Sequence, residues 1–156
     1  MTSDFTGLGR PVIDCDLHNE LPKLETLIPY LEDHWVVYVQ ESAFRGPNAN
    51  DYPRGAPTSA REGTKPENGP PGSDLGLMQE QVLDPWEVEV GILTCGYRVQ
   101  SVHNEDLSAS LSTAINQWQI DTWLEKDDRL RASLVVPSQN PVLAAREIER
   151  FGSHPG

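Results

Sequence analysis

The order of three strand-like segments, each followed by helix-like sequence, constrains this chain more than any other feature. Pro11-Val12-Ile13-Asp14-Cys15-Asp16-Leu17-His18 sets Ile13, Cys15 and Leu17 against Asp14, Asp16 and His18 at period two, which predicts a strand with one apolar face and one polar face. Val88-Glu89-Val90-Gly91-Ile92-Leu93-Thr94 is a second, mostly apolar strand. Leu130 to Val136 is the third, and its Leu134-Val135-Val136 run is what a parallel strand covered on both sides requires. Such alternation implies an α/β fold with parallel strands and right-handed crossovers.

The helices carry their own start and stop signals. Leu24, Leu27, Ile28 and Leu31 fall at helical spacing but are interrupted by Pro22 and Pro29, so Asn19 to Tyr38 reads as one or two short helices. Ser73-Asp74 is a cap for a helix with Leu75, Met78, Val82 and Leu83 on one face, ending at Pro85. Asn104 caps the next helix, with Glu105 and Asp106 in its first turn and Leu107, Leu111, Ala114, Ile115 and Trp118 on one stripe as far as about Lys126. Asn140-Pro141 starts a last helix, with Ala144, Ile148 and Phe151 predicted to face inward.

Between residues 46 and 72 six prolines and five glycines leave no apolar period, which predicts a long loop. Loops of that length are usually functional lids or disordered segments. Here Phe44 and Tyr52 are available to anchor it against a partner surface.

Charge and cysteine content narrow the partners. Twenty-four acidic against twelve basic residues give a formal net charge of −12, a field that repels phosphate backbones and anionic membranes, so neither nucleic acid nor a membrane surface is expected. Cys15 and Cys95 form no CxxC pair or disulfide framework. With no basic-then-apolar leader and no apolar stretch of membrane-spanning length, a cytoplasmic location is the expectation.

Four stretches, in their order and spacing, resemble the amidohydrolase 2 family, the group that includes aminocarboxymuconate-semialdehyde decarboxylase and related metal-dependent hydrolases and decarboxylases. They are Val12 to Asn19; Leu83-Asp84-Pro85-Trp86-Glu87-Val88-Glu89 leading into Ile92-Leu93; Ala114-Ile115-Asn116-Gln117-Trp118; and Asp128 to Pro137. The resemblance runs over roughly residues 11 to 156 and implies a distorted (β/α)8 TIM barrel. In that family the first strand ends in a metal-binding pair written His-x-His, Glu-x-His or Asp-x-His, and Asp16-Leu17-His18 occupies those positions.

The pair also makes sense physically. Residues two apart on a strand point the same way, so a carboxylate oxygen and an imidazole nitrogen can converge on one divalent cation, with zinc the expected ion and manganese an alternative. Catalytic residues of barrels collect at this end of the strands. Asp14 adds a second carboxylate to the polar face, to be compensated either by that cation or by hydrogen bonds from backbone amides.

Family members complete the site with a His from a middle strand and an Asp from the last one, and the residues after the third helix do not reach either. Residues 1 to 156 therefore read as the N-terminal portion of a TIM-barrel hydrolase domain from a truncated or split coding sequence. Alone, such a portion is expected to bind metal weakly, turn over little substrate, and associate through open strand edges with copies of itself or with a complementing C-terminal chain.

The activity implied by the resemblance is metal-dependent hydrolysis, or non-oxidative decarboxylation, of a small organic acid. The rival reading is a non-catalytic remnant or a subunit-pairing module. Arg98 and His103, in the loop after the second strand, are candidate contacts for an acidic substrate, or else ordinary solvated loop residues.

The remaining conspicuous residues read as structural. His34 packs on Trp35 or faces water, and His154 belongs to a frayed end. Trp118 and Trp123 belong to the core or a subunit contact, and Cys95 is a buried inert thiol. Asp128-Arg129 form an exposed bridge. No phosphate-cradling glycine motif is present.

Overall fold

The computed structural model describes residues 9–47, 61 and 63–156. Its centre is a parallel three-stranded sheet in the order β1-β2-β3, with β1 at Val12–Leu17, β2 at Val88–Leu93 and β3 at Leu130–Ala132. Helical segments fill each crossover, so the described residues form a mixed α/β arrangement compatible with part of a TIM barrel. Among the described residues no helix is long and apolar enough to cross a membrane.

The first crossover carries a 3-10 helix at Leu24–Tyr30, where Pro29 prevents a regular α-helix, and then α1 at Asp33–Glu41. Helix α2, Leu75–Met78, widens into a π-helical turn at Gln79–Leu83 before Pro85 stops it. The second crossover is α3, Glu105–Gln119, which also widens at Ile120–Leu124. Helix α4, Pro141–Phe151, follows β3.

The three anticipated caps are in place. Asp74 accepts from Leu77 N at 2.9 Å, Asn104 from Leu107 N at 2.9 Å, and Asn140 from Val142 N and Leu143 N at 3.0 and 3.1 Å.

The core lies between the sheet and α3. Leu27, Leu83, Leu93, Val99, Leu111, Ala114 and Ile115 are fully buried there, and the rings of Trp118 and Trp123 meet edge to face with centroids 6.2 Å apart. Gly91 leaves room for the leucine side chains of this packing. A Cβ on it would stand 2.6 Å from Leu17 Cδ1 and 3.3 Å from Leu130 Cδ2.

Four details depart from the sequence reading. The ladder of β3 ends at Ala132 rather than Val136, because Asn116 of α3 takes over the backbone of Val135: it accepts from Val135 N at 2.9 Å and donates to Val135 O at 2.8 Å. Helix α4 is rotated from its predicted face. Glu147, 5% exposed, points inward to accept from Asn116 Nδ2 at 2.8 Å and Thr113 Oγ1 at 2.9 Å, which leaves Ile148 53% exposed.

Arg129 pairs not with Asp128 but with Asp127, through Nε and Nη2 at 2.8 and 2.6 Å, and with Asp84 at 2.8 Å. The fork of the guanidinium matches both oxygens of one carboxylate, a geometry its other neighbour does not supply. On the predicted apolar face of β1, Leu17 is buried whereas Ile13 is 63% exposed and Cys15 is open to solvent. Strand β1 is also an edge of the described sheet.

Most of the long loop, Tyr52 included, lies outside the described residues. Phe44 at its start is half-buried against Tyr38, with ring centroids 6.0 Å apart.

Candidate metal centre

The end of β1 is built so that successive side chains serve two layers. Leu17 and Asn19 turn into the core, where Asn19 Nδ2 donates to Gln119 Oε1 of α3 at 3.1 Å. Asp16 and His18 take the alternate positions and remain exposed. The backbone is held from both sides: Thr94 N donates to Leu17 O at 2.7 Å, and Glu20 N donates to Gly72 O at 3.0 Å. Gly72 has φ +83°, and a Cβ there would come within 2.5 Å of His18 O, so only glycine allows this close approach.

Asp16 Oδ1 and His18 Nε2 are 3.4 Å apart, with side chains 75% and 59% exposed. Two donors bound at about 2.1 Å to one tetrahedral ion stand roughly 3.4 Å from each other, so the pair is spaced as two ligands of a single zinc-sized cation. Asp14 is committed elsewhere, because its Oδ1 accepts from Asp16 N at 3.0 Å. That bond fixes the peptide that presents the Asp16 carboxylate, the second of the two compensations open to Asp14. Among the described residues no group of three or more His, Cys, Asp or Glu side chains is disposed to hold a metal ion.

Asp16 and His18 line a cleft of about 320 Å³ together with Leu77, Met78, Gln81, Arg61 and Asp74. Arg98 lines a different cleft, of about 370 Å³, beyond the ends of β2 and β3 with Tyr97, Ser133 and Ser138. Its carbonyl caps the 3-10 turn Val99–Ser101 by accepting from Ser101 N and Oγ at 3.0 and 2.8 Å. His103 is exposed beside the α3 cap and lines neither cleft. The structure thus brings Asp16 and His18 together and sets Arg98 and His103 apart from them.

Glu20 is the residue near the site that the sequence reading passed over. It continues the alternation 14, 16, 18, 20, and that continuation was the available signal. Burial raises its pKa, and the nearby His18 partly offsets the rise. One carboxylate oxygen lies where a Cβ on Gly96 would be only 2.7 Å away, so glycine at 96 admits the acid to the loop after β2.

Next to Gly96, burial pushes the Cys95 thiol up to about 11; a backbone hydrogen bond from Tyr97 eases the rise and the charge of Glu20 adds to it. Burial, and then Cys95, also raise the pKa of Tyr97, whose hydroxyl has no hydrogen-bond partner among the described residues. His34 stacks against Trp35 with centroids 4.7 Å apart, and His154 closes the turn after α4 by accepting from Gly156 N at 3.0 Å. Neither approaches the Asp16–His18 cleft.

Among known proteins, the model of a family described as amidohydrolase matches residues 13–156. A search of curated proteins returned no match.

Proposed function

Because the chain belongs to the amidohydrolase family over residues 13–156, we propose that Asp16 and His18 are two protein ligands of a catalytic divalent metal ion, zinc in the first instance and manganese as the alternative, in a hydrolase acting on a small organic acid. The observation that carries this reading is the 3.4 Å separation of Asp16 Oδ1 and His18 Nε2 at the C-terminal end of a parallel strand. When bound, such an ion supplies a polarised carbonyl or an activated water.

The chain's own residues do the rest. Asp16 and His18 hold the ion's position, Asp14 holds the Asp16 amide, and the clasp of Glu20 N on Gly72 O fixes the backbone between them. Arg98 and His103 line no part of the Asp16–His18 cleft, so as contacts for the acidic end of the substrate they require one that extends beyond it. Hydrolysis and decarboxylation share the metal-polarised step and differ in the acid–base group that follows it. The two free cysteines are in keeping with a reducing, cytoplasmic setting.

Zinc titration of the purified chain, followed by calorimetry and repeated with manganese, tests the reading. One weak site is expected, since two protein ligands fall short of the three or four that zinc generally takes. Asp16→Asn and His18→Ala should each abolish it. Equal uptake by the unaltered chain and the double variant would remove the basis of the proposal, as would no uptake at millimolar metal.

A further inference from the structure

We propose that Arg61 binds the carboxylate of the substrate in the Asp16–His18 cleft, and that this substrate is a small acid whose apolar body lies against Pro71, Leu77 and Val82. The inference rests on the metal-binding reading of Asp16 and His18 and adds to it the residue that recognises the acid. Arg61 lines the same cleft of about 320 Å³ as that pair, and among the described residues no other arginine or lysine does. The carboxylates of Asp16 and Asp74 line it too, and they repel an organic anion. Attraction for an acid therefore comes from a cation at Asp16 and His18 and from Arg61, and a cavity of this size lets one small molecule meet both.

The backbone that carries Arg61 is held in place. Arg61 O accepts from Thr64 N at 3.2 Å and from Thr64 Oγ1 at 2.6 Å, closing a four-residue turn in which Gly63 takes a φ of +82° that glycine allows. Gly63 O in turn accepts from Gln81 Nε2 at 2.9 Å, which ties the turn to the π-helical segment lining the same cleft. The guanidinium itself is unspent: among the described residues none accepts a hydrogen bond from it or pairs with it, whereas Arg129 is engaged by Asp127 and Asp84. Asp74, the other charged group beside it in the cleft lining, already accepts from Leu77 N as the cap of α2. Arg61 is exposed, so its charge alone is worth little, but its planar fork matches both oxygens of a carboxylate and so selects that group. Pro71, Leu77 and Val82 offer the rest of the molecule apolar contact. An acid confined to this cleft meets neither Arg98 nor His103.

The test titrates the full chain, free of metal, with benzoate, which has a carboxylate on an apolar body, and with benzamide, which has nearly the same shape and no charge. Binding is read from the backbone amide shifts of Leu77, Gln81 and Val82. Benzoate should bind in the millimolar range, and Arg61→Ala should weaken it about tenfold. Arg61→Lys, which keeps the charge without the fork, should recover part of that loss, and benzamide should bind the unaltered chain no better than benzoate binds Arg61→Ala. Equal benzoate affinity in the unaltered chain and Arg61→Ala overturns the inference, as do benzoate shifts confined to other parts of the chain or none at tens of millimolar. Added zinc separates the inference from the reading it rests on. Zinc that tightens benzoate binding in the unaltered chain and not in His18→Ala supports both, whereas a chain that takes up no zinc ends the proposed function and leaves the metal-free titration to decide the role of Arg61.

Discussion

Asn19 donates to Gln119 across 3.1 Å in the fully buried space between the end of β1 and α3, joining residues one hundred positions apart directly behind His18. The other polar atom of this side chain, Asn19 Oδ1, has no hydrogen-bond partner among the described residues. Among the described residues, the bond to Gln119 is what compensates the burial of the amide.

Replacing Gln119 with Leu strands the Asn19 amide in the core and should destabilise the chain by about 1–3 kcal/mol in urea denaturation. A second change, Asn19→Leu, removes the stranded group and should restore part of the loss. A Gln119→Leu chain as stable as the original would show that the bond contributes nothing.

Glu147 is the second buried polar anchor, and it ties α4 to α3 through Thr113 and Asn116. Truncation by Glu147→Ala leaves the buried Asn116 and the half-buried Thr113 without their charged acceptor and should cost about 2–3 kcal/mol, read as a lower denaturation midpoint. Ile148→Ala, on the exposed side of the same helix, should change stability by less than about 0.5 kcal/mol. Equal effects at the two positions would return α4 to the orientation its apolar spacing suggests.

That spacing illustrates how much of the fold is legible in sequence. Strand order, the three Asx caps and the α3 stripe follow from local periodicity and capping chemistry, and the structure has them. The facing of α4 and the early end of β3 do not, because both are decided by Asn116, whose partners are 19 and 31 residues away. A polar residue inside an apolar stripe gives no local sign that it will bind a distant backbone.

The same division holds at the candidate site. The Asp16–His18 pair was visible as a two-residue spacing on a strand, and the structure holds its donor atoms 3.4 Å apart. Glu20 was less visible because its role depends on glycines 52 and 76 positions later, at Gly72 and Gly96, that make room for it.

Acid titration should report the Arg129 pair. The Arg129 hydrogen bonds, chiefly, hold the Asp127 carboxyl down at about 2, well below the ordinary aspartate value of 3.8. A depressed folded-state pKa means the unfolded chain binds the proton more readily, so the stabilisation is complete above about pH 5 and is lost as pH falls through 4 toward 2. Allowing for solvent screening at the partly exposed guanidinium, it amounts to on the order of 1–2 kcal/mol. Urea midpoints of the unaltered chain should fall over that window more steeply than those of Asp127→Asn. Parallel slopes would mean that the ion pair contributes little to the folded state.

The two thiols should separate by reactivity, since only the thiolate attacks an alkylating agent and only an accessible one is reached. Cys15 is exposed on the open half of β1, whereas Cys95 is half-buried with its pKa pushed up to about 11 by burial and by the charge of Glu20. At pH 8 a thiol of that pKa is ionised to roughly one part in a thousand, so iodoacetamide should label Cys15 at least tenfold faster than Cys95, as counted by peptide mass spectrometry. Between pH 8 and 10 the Cys95 rate should climb about a hundredfold, because each pH unit below the pKa multiplies the thiolate fraction by ten. Glu20→Gln removes one of the charges that raises the pKa and should speed Cys95 labelling at pH 8 without altering Cys15. Labelling of Cys95 as fast as Cys15 at pH 8 would mean that the loop after β2 is open to solvent, and that Glu20 is not packed against Gly96 as described.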